Sequence, residues 1–164
     1  MTEEDTQRLP LVEARHIAVS AMQQLQPHCE VISLAGDIRR ERATIGGIEI
    51  VCVPRPASSF GAVISQWSES NASCCYTQRM LPEGITIDLF MAHRDAYGLQ
   101  RAIRTGSPDW CRTVLAPAWV QAGFNVSHGM LRRANGSVVP VRTEPELFRQ
   151  IGMAWVDPRD REID

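Results

Sequence analysis

Two acidic side chains stand in apolar segments where packing gives no reason for them. Glu49 lies within the β-branched run 48–53, and Asp88 lies within the apolar run 85–90. Side chains two residues apart on a strand share a face, so Glu49 points to the same side as position 47. Carboxylates gathered on a sheet surface bind hard divalent cations such as Mg²⁺ or Mn²⁺, together with substrate phosphates. Glu49 and Asp88 are therefore the candidate catalytic and metal-binding residues, unless Asp88 pairs with an arginine and Glu49 faces solvent.

An arginine-rich turn follows the first predicted strand. That strand ends at Gly36, and the next one starts at Gly46. Such a turn can present backbone N–H groups to phosphates, and Arg39 or Arg40 can add charge-assisted hydrogen bonds. Taken alone, the same pattern also describes an ordinary strand end with a solvated face.

The composition excludes several kinds of chemistry. The 164 residues are enough for one domain or two small lobes, and 44% hydrophobic with 22% charged residues is typical of a globular protein. All 17 basic residues are arginine. A Schiff-base amine, an adenylated lysine and a Walker-type phosphate lysine are therefore excluded. Because the net charge is −2, contact with a polyanion requires a local arginine patch.

The cysteines and the first residues indicate a cytoplasmic location. Five cysteines form no C-x-x-C pair, and Cys74 and Cys75 are adjacent. This pattern fits neither a zinc ribbon nor a secreted disulfide framework, so we expect reduced thiols. The acidic, polar start 1–10 has no apolar segment behind a basic one and does not resemble a secretory signal.

Hydrophobic periodicity and turn residues predict an alternating order of elements. The first half should contain helix 11–25, strands 30–35 and 48–53, helix 60–67, a polar stretch 68–73, and antiparallel strands 73–80 and 85–92. The second half should contain a helix from 95 to 104 and a helix 108–122 that is capped by Ser107 and kinked or shortened at Pro117. A small sheet of 124–127, 130–132 and 138–141 should follow, and then a helix 144–151 with a Thr143–Glu146 capping box. An α+β fold with a mixed sheet follows, divided into 1–95 and 96–164.

At this point several ordered motifs resemble the DNA polymerase beta-type (family X) nucleotidyltransferases. Ala35-Gly36, a nine-residue gap at 38–46 and Gly47-Ile48-Glu49 resemble the superfamily pattern of the two first carboxylates. LPEGITIDLFMA resembles the strand of the third carboxylate, here Asp88, and RTGSPDW at 104–110 resembles the family's Thr-Gly-Ser turn. AGFNVSHGML and TEPELFRQIGMAWVDPRDRE resemble its C-terminal lobe, so the resemblance covers about 30–164.

The resemblance implies a minimal, phage- or virus-type member without lyase or helix-hairpin-helix modules. Residues 1–95 would form the nucleotidyltransferase palm, and 96–164 the nucleotide-selection lobe. Such a protein adds nucleotides to a 3′-hydroxyl in DNA synthesis, gap filling or repair, by in-line attack on the α-phosphate. Its expected partners are a DNA primer-template and a nucleoside triphosphate, and we expect a monomer without membrane contact. The implied nucleotide-binding residues are Gly36, Asp37, Arg40 and Gly46 near the triphosphate, and Thr105, Gly106 and Ser107 near the sugar.

This sequence departs from the family pattern at several positions. The first metal-bridging aspartate falls on Gly47, and Asp37 stands where a serine or glycine usually helps to hold the triphosphate. Further departures are Arg104, Cys111 and Leu115. They open the alternative of a catalytically degenerate homologue that binds a nucleotide, a nucleic acid or a protein. Asp37 or Glu41, on the adjacent turn, could instead replace the missing carboxylate.

Overall fold

The computed structural model describes residues 7–163 as two compact units. The first unit ends at Met91 and the second begins at Ala92, whereas the sequence pattern placed the division between 95 and 96. Residues 1–6, which carry most of the acidic start, lie outside the described part of the chain. No helix in 7–163 is long and apolar enough to cross a membrane.

The first unit is built on a five-stranded mixed sheet. Its strands are β2 (Cys29–Leu34), β4 (Gly47–Pro54), β5 (Ser68–Ser73), β6 (Tyr76–Met80) and β7 (Thr86–Met91). Their order across the sheet is β2-β4-β7-β6-β5. The central strands β4 and β7 run parallel, and the other neighbours are antiparallel. A two-residue pair of strands, β1 (Leu9–Pro10) and β3 (Thr44–Ile45), lies apart from this sheet.

One face of the sheet forms the core of this unit. Ile48 and Ile50 of β4 and Ile87 and Leu89 of β7 are fully buried. They join a cluster with the apolar side of α1 (Leu11–Leu25) and with α3 (Phe60–Ile64). Because strand side chains alternate, the residues between them point to the opposite face. That face carries Gly47, Glu49 and Asp88.

The helix 11–25 and the strands around 30–35 and 48–53 confirm the prediction from periodicity. Two other elements differ from it. The helix predicted for 60–67 ends at Ile64. Trp67, which made the end of this segment look helical, is buried in the core although it lies outside the helix. The polar stretch 68–73 is the edge strand β5, whose six residues are all exposed. An edge strand without a buried face has no apolar alternation to reveal it.

The second unit packs helices around a two-stranded hairpin. Its helices are α4 (Tyr97–Thr105), α5 (Pro108–Trp110), α6 (Ala116–Gln121) and α7 (Glu144–Gln150), and its strands are β8 (Phe124–Ser127) and β9 (Met130–Arg133). A π-helical turn, Cys111–Leu115, joins α5 to α6 without a break. Pro117 therefore does not end the helix. The wider π-helical turn ends at Leu115, two residues before this proline, which lacks an N–H donor.

The third strand predicted for the small sheet is reduced to one bridge, between Arg132 and Val138. Val139 still donates to the carbonyl of Leu131, over 2.8 Å. Pro140 follows and has no N–H to continue a ladder. The predicted capping of the last helix is confirmed, since the Thr143 side chain accepts a hydrogen bond from the backbone N–H of Glu146.

Candidate functional site

Glu49 and Asp88 lie directly opposite each other on the two central strands. The parallel register of β4 and β7 pairs Gly47 with Thr86 and Glu49 with Asp88. Paired residues on neighbouring strands point to the same face, so both carboxylates are on the face away from the core. The structure thus brings together the two residues that the sequence singled out for metal binding.

The carboxylate of Asp88 is oriented by two donors from β6. The hydroxyl of Tyr76 and the amide Nε2 of Gln78, the latter over 3.1 Å, both donate to Asp88 Oδ1. The Tyr76 ring stacks on Phe90, with 5.0 Å between the ring centroids. Asp88 is therefore fixed by neighbouring side chains of its own sheet, and the arginine partner considered from the sequence is not among its hydrogen-bond partners here.

Glu49 lies against the glycine turn that follows β2. Gly36 opens the short helix α2 (Gly36–Arg39) with a φ of +57°, and a Cβ at this position would overlap the Glu49 carboxyl group. The backbone N–H of Asp37 donates a hydrogen bond to that carboxylate. Glycine is therefore required here for two reasons, its left-handed backbone and the close approach of Glu49.

The surroundings of Glu49 disfavour its ionised form. Burial, followed by the negative charges of Asp88 and Asp37, raises the pKa of Glu49 from its ordinary value of 4.5 to about 7. The Arg40 guanidinium and the Asp37 amide act in the opposite direction. A cation bound between the two carboxylates would favour ionised Glu49 and release its proton.

This pKa predicts a pH-dependent effect of Glu49→Gln on stability. Between pH 4.5 and about 7 the folded protein keeps a proton that the unfolded chain has released, so the stability contributed by Glu49 falls as pH rises through this window. In chelator, we expect the stability of the variant relative to the wild type to increase by up to about 3 kcal/mol between pH 4.5 and pH 8. Urea denaturation at both pH values measures it.

Glu83→Gln, a substitution of an exposed glutamate in the turn between β6 and β7, is the control for this measurement. It should change the free energy of unfolding equally at both pH values. A Glu49→Gln variant that shows no more pH dependence relative to the wild type than this control would contradict the raised pKa.

Gly47 faces the same region without a side chain. A Cβ built at this position lies 3.9 Å from Asp88 Oδ2 and 2.9 Å from Thr86 Oγ1. A side chain at position 47 would therefore extend towards the Asp88 carboxylate. An aspartate here would complete a set of three carboxylates.

The donor set present fits one divalent cation and not a pair of them. Within residues 7–163, no group of three or more His, Cys, Asp or Glu side chains could hold a metal ion. Two carboxylates with waters and substrate phosphates are a sufficient set for one Mg²⁺. Two ions about 3.5–4 Å apart need bridging carboxylates that this chain lacks at Gly47.

The two acidic residues of the adjacent turn are paired with arginines. Asp37 accepts from Arg40 over 2.5 Å and lies 3.6 Å from Arg8, while Glu41 lies 3.9 Å from Arg15. Arg40 itself is 9% exposed. The turn thus brings Gly36, Asp37 and Arg40 next to Glu49, with the negative charge of Asp37 largely compensated by arginine.

Sequence reasoning missed Arg8. Its guanidinium donates to the side chain and to the carbonyl of Thr44, over 3.0 and 2.7 Å, and its Nη1 lies 2.9 Å from a Cβ built on Gly46. Arg8 is held there by the β1–β3 pairing of Leu9 with Ile45. A two-residue strand leaves no periodic signal, so only the fold shows that this arginine lies over the glycine turn.

In the second unit, the predicted Thr105-Gly106-Ser107 segment forms the turn between α4 and α5. Thr105 donates to the carbonyl of Arg101 over 2.6 Å, and Gly106 has a φ of +69°. The Ser107 hydroxyl accepts from the N–H of Trp110, which confirms the predicted N-cap. The Thr105 and Ser107 side chains are buried.

A comparison with known families finds one match, and it lies within the second unit. Residues 101–162 match the sequence model of the DNA polymerase beta thumb. This unit is similar to a polymerase beta thumb. The match supports a relationship to the family X polymerases and to DNA binding, and it does not extend to Glu49 or Asp88. No curated protein matches the chain.

The thumb-like unit is closed by a buried ion pair. Arg161 and Glu144 are both inaccessible to solvent, and Arg161 Nη1 donates to Glu144 Oε1 over 2.7 Å. The rest of the guanidinium donates to the carbonyl of Val156 and lies among the rings of Trp110, Phe148 and Trp155. The carbonyl of Arg161 accepts from the N–H of Ser107 over 2.8 Å. The end of the chain therefore holds the Thr105–Ser107 turn, and Trp110 is part of the core.

Proposed function

We propose that this protein is a polymerase beta-like nucleotidyltransferase that adds nucleotides to the 3′-hydroxyl of a DNA primer, at a low rate because Gly47 supplies no ligand. The observation that carries the proposal is the strand register, which places Glu49 opposite Asp88 on the face of the central strands that points away from the core. The similarity of residues 101–162 to a DNA polymerase beta thumb supports DNA binding by the same chain. The substrates would be a nucleoside triphosphate and a DNA primer-template.

In this proposal each part of the first unit has a separate task. Glu49 and Asp88 would hold one Mg²⁺ or Mn²⁺, and Tyr76 and Gln78 keep Asp88 in place. When bound, such an ion neutralises phosphate oxygens and activates the attacking hydroxyl. Arg8 supplies positive charge over Gly46 for a triphosphate, a role for which guanidinium geometry is well suited.

The Gly36 turn contributes backbone donors rather than a side chain. The N–H of Asp37 is engaged by Glu49 in the free protein. Repositioning Glu49 towards a cation would release this N–H for a phosphate oxygen, which is the kind of acceptor that such turns bind. Binding of the cation and of the triphosphate would thus favour each other.

A second candidate function is that of a binding protein without transfer activity. It is favoured by Gly47, which leaves the site one carboxylate short, and by the partly buried ion pair of Arg40 with Asp37, which removes positive charge from the turn. Such a protein would bind a nucleotide, DNA or a protein partner with the same surfaces.

The experiment is primer extension on gapped DNA with Mg²⁺ or Mn²⁺, comparing the wild type with Asp88→Asn. Asparagine keeps an oxygen acceptor for Tyr76 and Gln78, so the variant removes charge rather than shape. We expect a loss of about 100-fold or more, which corresponds to about 2.7 kcal/mol of transition-state stabilisation. Asp160→Asn, an exposed position, should retain the wild-type rate.

Binding measurements on the same proteins separate the two candidate functions. A wild type that does not extend the primer, and that binds DNA and triphosphate as well as Asp88→Asn does in the presence of Mg²⁺, would contradict the enzyme and support the binding protein. Extension that is equal in the wild type and in Asp88→Asn would exclude this site as its source.

A further inference from the structure

The tip of the edge hairpin carries two adjacent free thiols. Ser73 pairs with Tyr76 at the end of the β5–β6 ladder, so Cys74 and Cys75 are the two residues of the turn. Both are exposed, and their Sγ atoms lie 3.4 Å apart in a thiol–thiol hydrogen bond. The two sulfurs therefore reach solvent together, unlike the buried Cys29 and Cys52.

The turn that carries these thiols is held on both sides. The Ser73–Tyr76 pair closes it at its base, and the carbonyl of Cys75 accepts from the N–H of Met91 over 2.9 Å. Tyr76, the next residue, is fixed by its hydroxyl on Asp88 and by stacking on Phe90. A ligand that needs both sulfurs would find them already side by side, so little conformational entropy is lost on binding.

A direct bond between the two sulfurs is disfavoured by the backbone. The Cys74–Cys75 peptide bond is trans, and consecutive Cα atoms across a trans peptide lie about 3.8 Å apart. Disulfides join residues whose Cα atoms are about 4.4–6.8 Å apart. A single atom that bonds to both sulfurs does not require the two sulfurs to bond to each other.

The sulfur separation suits a pyramidal trivalent centre. With bonds of about 2.3 Å, as for Zn–S, a separation of 3.4 Å gives an S–X–S angle of about 95°. Two thiols alone cannot close a tetrahedral metal site, which takes four ligands, and no larger His, Cys, Asp or Glu group is found in the described chain. A ligand of this site is therefore a centre that binds through two sulfurs alone, with an S–X–S angle near 90°.

We propose that Cys74 and Cys75 form a chelating site for thiophilic trivalent centres of the organoarsenical class. In the reaction, two As–S bonds form, the As=O group is lost, and its oxygen leaves as water with the two thiol protons. No atom is oxidised or reduced, so no further reactant is needed. This site is separate from the carboxylates on which the proposed transfer activity depends.

Phenylarsine oxide is the probe. It is added to the reduced protein, and binding is followed by intact mass and thiol titration. One arsenic atom should bind per chain and consume two thiols. Because the second bond is intramolecular, Cys74→Ser or Cys75→Ser should each weaken binding by roughly 10²- to 10⁴-fold. Cys111→Ser is the matched control and should bind like the wild type.

Competition identifies the bidentate mode. Excess dithiothreitol should remove the arsenical, while a monothiol at equal thiol concentration should not. Undiminished binding in both serine variants would assign the probe to the other cysteines and overturn the proposal, as would the absence of binding in the wild type. Treatment with oxidised glutathione is the last test. A mass loss of two hydrogens at the Cys74–Cys75 peptide would show that the pair closes as a disulfide and would overturn the backbone argument.

Discussion

Gly47→Asp raises the rate of metal-dependent primer extension by roughly 100- to 1,000-fold over the wild type, if the first unit is the nucleotidyl-transfer centre proposed above. The gain corresponds to about 3–4 kcal/mol, the size expected for one well-placed charge ligand at a reacting phosphate. It is measured by single-turnover extension of a gapped primer with saturating triphosphate and Mg²⁺ or Mn²⁺.

The geometry explains why one substitution should suffice. The backbone at Gly47 is not in the left-handed region, so an L-residue fits its conformation. The Cβ would lie 3.9 Å from Asp88 Oδ2, and its tightest contact is Thr86 Oγ1, the end of a side chain that can rotate. The new carboxylate would therefore stand beside Asp88 and Glu49 without movement of the strands.

Gly47→Asn is the matched control, because it has nearly the same shape and no charge. It should leave primer extension at the wild-type level. Without divalent ions, the aspartate variant should also melt at a lower temperature than the asparagine variant, since three carboxylates repel one another, and Mg²⁺ should remove this difference. An aspartate variant no more active than the asparagine variant would show that the missing ligand is not what limits transfer.

Arg161→Met destabilises the thumb-like unit by about 3–5 kcal/mol. The substitution removes the guanidinium that donates to the Glu144 carboxylate, at a site with no access to solvent. It also removes two hydrogen bonds to the carbonyl of Val156. Urea denaturation followed by tryptophan fluorescence measures the change, because Trp110 and Trp155 surround the guanidinium.

Arg159→Met is the control for this substitution. Arg159 is 62% exposed and pairs with Asp157, and loss of such a solvent-exposed pair should change the free energy of unfolding little. The double variant Arg161→Met with Glu144→Met should recover most of the stability, because both charges of the buried pair are then removed together. A single Arg161→Met variant that costs less than about 1 kcal/mol would show that the pair is not needed for folding.

The elements that were predictable from the sequence share one property, a local physical signal. Helix 11–25 shows apolar residues at three- and four-residue spacing, and Ser107 and Thr143 cap their helices with their own side chains. Asp88 was recognisable as a candidate site residue because a carboxylate in the apolar run 85–90 has no packing role. In each case the signal lies within a few residues of the element that it predicts.

The features that were missed depend on residues far apart in the chain. Arg8 reaches Gly46 through the pairing of two-residue strands 35 positions apart. The edge strand Ser68–Ser73 is defined by its neighbour and has no apolar face of its own. Arg161 is the extreme case. From the sequence, a charged residue at this position is expected on the surface, but in the fold it is inaccessible to solvent.

By itself, the sequence determined the residue types available to the site: two carboxylates in apolar strands, a glycine turn with arginines, and glycine at position 47. Local rules of spacing and capping are sufficient for this. Only the tertiary structure decided that Glu49 pairs with Asp88, that Glu49 lies on the Gly36 turn with a pKa of about 7, and that Arg8 covers Gly46. Strand register, burial and the distances between charges arise only when distant segments pack together.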